Sequence, residues 1–353
     1  MLFSSKKDLI GIDVGSSSVK LVRLRESRGN YQLVNIGILP LAPEAIVDNA
    51  IMDSAAIVEA ISNLITGMKV KGKQVATSVS GHSVIIRKIM LSLMTEEELE
   101  ASIQWEAEQY IPFDLSEVNI DFQILGPDAK DPSQMNVMLV AAKKDYVEDY
   151  VALFAEAGLE PVVMDIDCFA VENTFDVNYG FVEDEVVALV DLGASAVSVN
   201  VLRGEMSLFT RDIQAGGNQI REELQKRLAL SSAEAELAKL GGRRIGEIEA
   251  EAIDDVLSDA MENLVQEVQR SLDFFLATSG DVKISKVYLT GGVAKSAQVR
   301  ETLEKRLSTP TELINPFRNI TVNEKDFDLE YLEAIGPMFA VATGLAMRKV
   351  GDK

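Results

Sequence analysis

The alternation of apolar and polar positions along the chain predicts short strands mixed with amphipathic helices. Residues 10–24 read "IGIDVGSSSVKLVRL", two apolar runs around a polar turn, which is typical of a β-hairpin. The pattern then predicts a helix over 54–68 and a strand over 74–81. Strands and helices that follow each other in this way indicate an α/β protein.

The opening hairpin pattern occurs a second time. "LVDLGASAVSVNVLR" begins at Leu189 and aligns with the first copy at a constant offset of 178 residues. The turn residues that recur are Asp13 and Asp191, Gly15 and Gly193, and Ser17 and Ser195. The offset is about half the chain and too long for a solenoid repeat, so it predicts two duplicated domains.

The repeated Asp-x-Gly-x-Ser turn has the chemistry of a phosphate loop. Glycine lets backbone N–H groups converge on an anion, serine hydroxyls add donors, and an aspartate holds Mg²⁺ beside a phosphate. Two such loops that face each other would bind a nucleotide tail from both sides. The alternative is that each is an ordinary hairpin turn, in which Asp-x-Gly is common.

Lys20 lies in an apolar strand seven residues after Asp13. Its neighbours place apolar residues on both faces of that strand, where an unpaired ammonium is costly. A bound phosphate would explain the lysine; alternatively, the side chain reaches solvent from the strand end. The second copy has Ser198 at this place, so the two turns differ chemically.

Two more glycine pairs follow predicted strands. "KVYLTGGVAKSAQVR" begins at Lys286 and predicts a strand, a glycine turn and a helix capped by Ser296. Such a turn lets a flat ring lie against bare backbone. "DIQAGGNQIREEL" begins at Asp212 and has the same break. Glu236 and Lys239 share a face of a predicted helix. They either contact a bound nucleotide or form a solvated ion pair.

Between residues 81 and 164 the pattern changes and predicts a separate subdomain. Its first helix, over 95–110, begins with a capping box in which Thr95 precedes Glu98. Trp105 lies off the apolar stripe of this helix, and either packs on the main domain or faces a partner. Further on, residues 244–280 form one long helical pattern, or two.

Composition narrows the possible functions. The 353 residues carry a formal net charge of -22, which disfavours binding to nucleic acid or to anionic lipid. The sole cysteine, Cys168, permits no intramolecular disulfide, and the sole histidine, His82, excludes a Ser-His-Asp triad and multi-histidine metal sites. We expect His82 to be a solvated loop residue. No secretory signal or membrane-length apolar run is visible, so we expect a cytoplasmic protein.

These glycine loops together resemble the actin-like ATPase superfamily. The resemblance implies two ribonuclease H-like α/β domains of five-stranded mixed sheets, with ATP or ADP and Mg²⁺ in the cleft between them. The residues that match or are implied to contact the nucleotide are Asp13, Gly15, Ser16, Ser17 and Lys20 in the first loop, Asp191, Gly193, Ala194 and Ser195 in the second, Gly216, Gly217, Glu236 and Lys239, and Gly291, Gly292 and Val293 in the adenosine loop. Asp13 and Asp191 are implied to hold Mg²⁺, through water.

Within this superfamily the chain looks like the bacterial cell-division protein FtsA and, more closely, like the type IV pilus assembly PilM family. "QWEAEQYIPFDLSEVNIDFQIL" from Gln104 and "MDIDCFAVENTF" from Met164 are its most PilM-like passages. The resemblance implies a nucleotide-binding scaffold that is held at the inner membrane by the cytoplasmic N-terminal tail of PilN, together with other pilus machinery. The sequence ends at Lys353 without an amphipathic helix, which argues against direct membrane insertion. An FtsA-like filament former and a small-molecule kinase of the superfamily are the alternatives.

The same resemblance sets the expected domains and the expected chemistry. Domain I takes residues 1–183 and 331–353, with the inserted subdomain at about 81–164; domain II takes 184–330, with a lid at about 231–263. Asp167, or else Asp165, is the candidate for orienting the attacking water, although Asp167 is equally a helix N-cap. We therefore expect slow hydrolysis at most. A groove beside residues 80–93 is the expected docking site for the tail.

Overall fold

The computed structural model describes residues 8–128, 130–241, 245 and 248–352. The strands are β1 (Ile10–Val14), β2 (Ser18–Ser27), β3 (Asn30–Pro40), β4 (Ile46–Val47), β5 (Ala50–Ile51), β6 (Gln74–Val79), β7 (Val84–Ser92), β8 (Val118–Pro127), β9 (Gln134–Lys143), β10 (Glu160–Ile166), β11 (Val186–Leu192), β12 (Val197–Arg203), β13 (Met206–Ile213), β14 (Lys286–Thr290) and β15 (Thr311–Leu313). The α-helices are α1 (Ser54–Gly67), α2 (Glu96–Ala107), α3 (Lys144–Glu156), α4 (Asp167–Tyr179), α5 (Gly217–Leu228), α6 (Ser232–Lys239), α7 (Ala250–Thr278), α8 (Ala297–Leu307), α9 (Leu329–Ile335) and α10 (Ala340–Met347).

Two five-stranded sheets have the same plan. The first has the order β10-β6-β1-β2-β3 and the second the order β13-β12-β11-β14-β15. In each sheet a central strand pairs antiparallel with the next strand along the chain and parallel with a later one. The central strands β1 and β11 are almost wholly buried, which explains their apolar sequences. The mixed five-stranded sheets agree with the fold expected from the sequence.

The repeated turn sequence forms a repeated turn. The Gly15 N–H donates to the Ser18 carbonyl over 3.1 Å, and the Gly193 N–H donates to the Ala196 carbonyl over 3.0 Å. Across the hairpins, Asp13 is paired in register with Lys20, as Asp191 is with Ser198. The sequence echo therefore reflects a true structural duplication.

Helices α4 and α10 lie between the two sheets and form a shared apolar core. Residues of β6, α4, β11 and α10 contribute to this core. The helices cross closely because Gly344 has no side chain: a Cβ there would lie 1.8 Å from the Ala170 carbonyl oxygen. Gly11 allows the same approach on β1, where a Cβ would lie 2.2 Å from the Ala342 oxygen. Small residues thus set the distance between the helices and the first sheet.

The inserted subdomain is smaller than the expected range of 81–164. Strands β7, β9 and β8 form a three-stranded sheet, and α2 completes a core of its own with them. In contrast, Leu153 and Phe154 of α3 are buried in the core of the first sheet. Strand β10 pairs parallel with β6. Helix α3 and strand β10 therefore belong to the first sheet and its packing.

The first helix of the insert begins as its sequence predicts. The Thr95 side chain accepts from the Glu98 N–H, and the Glu98 carboxylate accepts from the Thr95 N–H, so the capping box is confirmed. Trp105 is 79 % exposed and does not pack on the main domain. Of the two interpretations for Trp105, only a surface role agrees with this exposure.

The long helical pattern is one continuous helix, α7, of 29 residues. Its first turns and α6 contribute to the same core as the second sheet, so the expected lid has no core of its own. Residues 242–244 and 246–247 of the expected lid lie outside the described residues. No helix in the described part of the chain combines the length and apolarity needed to cross a bilayer.

Candidate functional site

A cavity of about 500 Å³ lies between the first half of the molecule, which is built on the first sheet, and the second half, which is built on the second sheet. Both hairpin turns line it, together with the β14–α8 turn and α6. The expected nucleotide residues that line it are Asp13, Gly15, Ser16, Ser17, Lys20, Asp191, Gly193, Ala194, Ser195, Gly217, Glu236, Lys239, Gly291, Gly292 and Val293. These segments are distant in sequence, and the duplicated fold brings them into one cleft.

Lys20 is held inside the cleft by an ion pair. Its ammonium lies 2.8 Å from the Asp13 carboxylate, and both side chains are 12 % exposed. Burial alone would lower the pKa of Lys20, but Asp13 and, more weakly, Asp191 and Asp167 raise it above its ordinary value. Lys20 is therefore a fixed positive charge in the cavity, and the alternative, in which its side chain reaches solvent from the strand end, is wrong.

Asp191 has no lysine at the matching place. Its register partner is Ser198, which cannot neutralise a carboxylate. Burial, followed by repulsion from Asp167 and Asp13, raises the pKa of Asp191 to about 7. The second loop thus contains an acid that is about half protonated near neutral pH.

Asp167 also faces the cavity, at the first residue of α4. The Ser78 hydroxyl donates to its carboxylate over 2.5 Å. Burial and the nearby Asp13 raise the pKa of Asp167 to about 6. The N-cap of α4 is Ile166, which has no capping side chain, so the N-cap interpretation of Asp167 is wrong.

Asp165, the second candidate for orienting water, is not among the residues that line the cavity. Its carboxylate lies 3.5 Å from the Arg348 guanidinium and accepts from the Ile166 N–H. A carboxylate that is committed to this pair cannot reach a ligand in the cleft. Asp165 therefore lies outside the candidate site.

The β14–α8 turn is built for close approach by a flat group. A Cβ at Gly292 would meet no atom within 4 Å, so this glycine exposes bare backbone. Gly291 has a φ of +90°, and a Cβ there would lie 2.4 Å from a carboxylate oxygen of Asp191. The Gly291 N–H and the Thr290 hydroxyl both donate to the Pro337 carbonyl, which ties the turn to the segment before α10.

Glu236 and Lys239 line the cavity from α6 and form an ion pair over 2.6 Å. Lys239 is the more buried of the two, with its side chain 17 % exposed. This arrangement combines the two alternatives left open by the sequence, because an i,i+3 ion pair is present and it faces the cavity.

The glycine pair at the start of α5 shapes the second loop. Gly216 does not line the cavity, and a Cβ there would lie 2.5 Å from the Ala194 carbonyl oxygen. Gly217 does line it, and its N–H donates to the Gly193 carbonyl over 3.1 Å. Gly216 therefore supports the loop from behind, and only Gly217 is placed for contact with a ligand.

A hydroxyl bond joins the two loops directly. The Ser195 hydroxyl donates to the Ser16 hydroxyl over 2.7 Å, and the Asn218 amide donates to Ser195 over 2.9 Å. The two halves are thus close enough for one small ligand to contact both loops at once.

Several cavity residues were not predicted from the sequence. Tyr146 and Tyr150 of α3 line the first-half wall, and Asp212 lies at the end of β13. Asp212 had a signal, because it ends a strand just before a glycine pair, as Asp13 ends one before a glycine turn. The tyrosines had none, since apolar helical spacing does not tell which wall a helix face will line.

A second cavity of about 390 Å³ adjoins the first. Residues 80–87 and 210–214 form facing walls, and first-half residues such as Asp48 and Cys168 complete it. The exposed His82 also lines it. The expected groove beside residues 80–93 is therefore present for residues 80–87, but β13 of the second half forms its opposite wall.

The donor set in the cleft fits a magnesium–nucleotide better than a bare metal. The described residues contain no group of three or more histidine, cysteine or acidic side chains arranged to hold a metal ion. Asp13 and Asp191 supply hard oxygen donors, and Lys20 supplies a charge for phosphate. Mg²⁺ commonly keeps several waters and takes few protein ligands beside phosphates.

The fold and the cleft define the chain as an actin-like ATPase-fold protein. MreB5 of Spiroplasma citri, solved with AMPPNP, matches with a TM-score of 0.52 at 14 % identity over 95 % of this chain and 94 % of that one. The ethanolamine utilization protein EutJ of Carboxydothermus hydrogenoformans matches with a TM-score of 0.60 at 14 % identity over 98 % and 93 %. At this identity the likeness establishes the fold alone.

The chain belongs to the type IV pilus assembly protein PilM family. The sequence profile of that family matches residues 11–350. A solved PilM-PilN type IV pilus biogenesis complex contains a chain that is 30 % identical, with a TM-score of 0.87, over 99 % of this chain and 100 % of that one.

Proposed function

We propose that this protein is an ATP- or ADP-binding scaffold of the type IV pilus assembly machinery, in which the nucleotide acts as a conformational clamp. The observation that carries the proposal is the single cavity lined by both hairpin turns, by the β14–α8 turn and by α6. A ligand in that cavity contacts both halves and therefore favours their closed arrangement. Nucleotides bound to MreB5 of the same fold support this assignment.

Each group in the cleft has a role in this proposal. Asp13 and Asp191 hold Mg²⁺ through water, and Lys20 neutralises phosphate charge from its fixed position. Backbone amides of both loops bind phosphate oxygens. Glu236 and Lys239 contact the ribose or the base, and the bare backbone of Gly292 accommodates the ring. Mg²⁺ supplies charge compensation for the phosphates when bound.

The partner that we propose is the cytoplasmic N-terminal tail of PilN. It docks in the second cavity, whose facing walls are β7 and β13. Both are edge strands of their sheets, so each has one side free for main-chain hydrogen bonds with an extended segment. Met90 near the end of β7 and Leu93 just after it are exposed apolar residues as well. The structure of a PilM-PilN complex supports this choice of partner.

In this scheme the protein is a cytoplasmic component that reaches the inner membrane only through PilN and its associated pilus proteins. The net charge of -22 disfavours direct contact with anionic lipid. The nucleotide-dependent shape of the first half is the feature that other inner-membrane components of the machinery would recognise.

Thermal unfolding tests the nucleotide site. We expect Mg–ATP or Mg–ADP to bind with micromolar or tighter affinity, and at 100 times Kd to stabilise the fold by about 2.7 kcal/mol. Asp13→Ala and Asp191→Ala remove the resulting rise in Tm, whereas Asp273→Ala, an exposed aspartate on α7, leaves it unchanged. A wild-type protein that contains no nucleotide and shows no rise would refute the site.

Calorimetry with a synthetic PilN tail peptide tests the docking site. We expect binding that is weakened at least tenfold by Ile85→Asp or Ile213→Asp, because each places a charge in the apolar wall of the second cavity. Val151→Asp, at an exposed position of α3 outside the cavity lining, is the matched control. Equal affinity of all three variants would show that the tail docks elsewhere.

A further inference from the structure

One hydrogen bond connects the beginning of the insert to the second half of the molecule. The Gly81 N–H donates to a carboxylate oxygen of Asp212 over 2.8 Å. Gly81 lies in the turn between β6 of the first sheet and β7 of the insert, and Asp212 lies near the end of β13. The bond therefore crosses the cleft and joins segments that are 131 positions apart.

Asp212 belongs to both cavities. Its side chain lines the cleft that contains Asp191 and Asp167, and it also lines the second cavity next to β7. Its charge is felt in the cleft, since it contributes to the raised pKa values of Asp167 and Asp191, behind burial and the closer carboxylates. A change at either cavity thus reaches the same carboxylate.

The turn that contains Gly81 cannot easily change its conformation. Gly81 has a φ of +83°, and a Cβ there would lie 1.7 Å from the Asn49 side-chain nitrogen. That same nitrogen donates to the Ser80 carbonyl over 3.1 Å. Just before this turn, the Ser78 hydroxyl bonds to Asp167. The turn is therefore held from the cleft side at Ser78 and from the second half at Asp212.

We propose that Asp212 is the positioning residue through which the nucleotide cleft controls the insert. A ligand that bridges both halves holds Asp212 against the Gly81 N–H, and this fixes the start of β7 and one wall of the second cavity. By linkage, a segment bound in the second cavity changes nucleotide affinity by the same factor. This inference rests on the proposed nucleotide binding and adds its route of communication.

Hydrogen–deuterium exchange of the full-length chain reads this bond directly. We expect saturating Mg–ADP to slow exchange of the Gly81 amide and of residues 82–87 in the wild type by about tenfold, as expected for a hydrogen bond to a charged group. In Asp212→Ala the ligand-free exchange is faster, and Mg–ADP no longer slows it. Asp212→Asn keeps an acceptor oxygen and so retains most of the response.

Calorimetric titration of Mg–ADP on the same samples separates the possible failures. If Mg–ADP binds the wild type and exchange at 81–87 stays the same, the coupling is refuted and the nucleotide site stands. If Mg–ADP does not bind, the proposed function itself fails. An Asp212→Ala protein that responds as strongly as the wild type also refutes the coupling. Glu205→Ala changes an exposed residue in the β12–β13 turn and should respond to Mg–ADP as the wild type does. If Asp212→Ala does not fold, exchange of the wild type with and without Mg–ADP still tests the coupling.

Discussion

At the scale of single residues, the cleft has more acid than base. Asp13, Asp167 and Asp191 all face it, and Lys20 pairs with Asp13 alone. Burial and repulsion between the carboxylates raise the pKa of Asp167 to about 6 and that of Asp191 to about 7, so both acids hold their protons to higher pH than an exposed aspartate does. Without a bound cation, ionisation of these groups costs folding free energy.

Asp191→Asn tests this cost. The pKa of Asp191 is about 7 in the folded chain and about 3.9 in an unfolded one. The protonated Asp191 therefore contributes to the free energy of unfolding in full below about pH 3.9, and this contribution is lost as the pH rises through about 7. The variant removes the loss, and we expect it to raise the free energy of unfolding at pH 8 by about 1–2 kcal/mol, because the side chain keeps some contact with cleft solvent. Urea unfolding at pH 5.5 and pH 8 measures the difference.

The difference in the free energy of unfolding between Asp191→Asn and the wild type should be near zero below pH 4 and should grow towards pH 8. Asp273→Asn, on the exposed face of α7, is the control and should show no such growth. If the difference in the free energy of unfolding did not change with pH, the raised pKa of Asp191 would be contradicted. Since the same variant should lose nucleotide binding, stability and function change in opposite directions.

Most of the cleft residues could be predicted from the sequence because the same turn of aspartate, glycine and serine occurs twice in register, which marks both copies as one duplicated loop. Asp165 was a wrong candidate, since two acids separated by one residue look alike in sequence while only the strand's pleat and the helix start decide which one faces the cleft. Its partner Arg348 is 183 positions away, and no local pattern announces that pair.

At the scale of elements, the crossing of α4 and α10 sets how the two halves meet. The closest point is Gly344 against the Ala170 carbonyl. Both helices contribute to the core between the sheets, so their separation affects both halves.

Gly344→Ala should destabilise the protein by about 1–3 kcal/mol or more, because a methyl group 1.8 Å from a backbone oxygen forces the helices apart. Gly67→Ala is the matched control: it lies at the end of α1, and an added Cβ meets no atom within 4 Å. That control should be neutral or slightly stabilising, because alanine favours helix more than glycine does. Equal melting temperatures for the two variants would contradict the close crossing.

Element types and helix starts were predictable, whereas membership in a core was not. The Thr95–Glu98 box identifies the start of α2 from four residues of local sequence. Helix α3 has an apolar face that would suit either neighbouring core, and only the long-range pairing of β10 with β6 decides for the first sheet. This is why the insert is shorter than the sequence pattern indicated.

At the scale of the whole molecule, the two halves share an apolar core on one side of the cleft and are joined by polar bonds across it. The core contains residues of both sheets, while Ser16 and Ser195 meet at the cleft itself. In the proposed function, the cleft would open and close about the α4–α10 core, and a ligand between the loops would favour the closed arrangement.

We expect ATP hydrolysis by the isolated protein to be slower than about 1 per second, the lower limit of ordinary enzyme turnover. Asp167 is the one acid of the two candidates that faces the cleft, and one of its carboxylate oxygens already accepts from the Ser78 hydroxyl, which leaves only the other oxygen to orient water. Phosphate release under steady-state conditions measures the rate, and Asp167→Asn should lower it further without abolishing Mg–ADP binding. Fast turnover would contradict the clamp, and phosphate transfer to a metabolite would favour a kinase.

The duplicated hairpins have a last consequence, which concerns the direction in which a ligand lies. Two loops of equal geometry on opposite walls would accept an elongated anion either way round. Lys20 stands on one wall and Ser198 on the other, while α6 and the bare Gly292 backbone belong to the Ser198 wall alone. In the proposed site, the phosphate end of the ligand would therefore lie at Lys20 and its flat end at Gly292. Lys239 and Lys295 also line the cleft, but of these three lysines only Lys20 belongs to a duplicated hairpin, so the difference between Lys20 and Ser198 is what distinguishes the two hairpin walls.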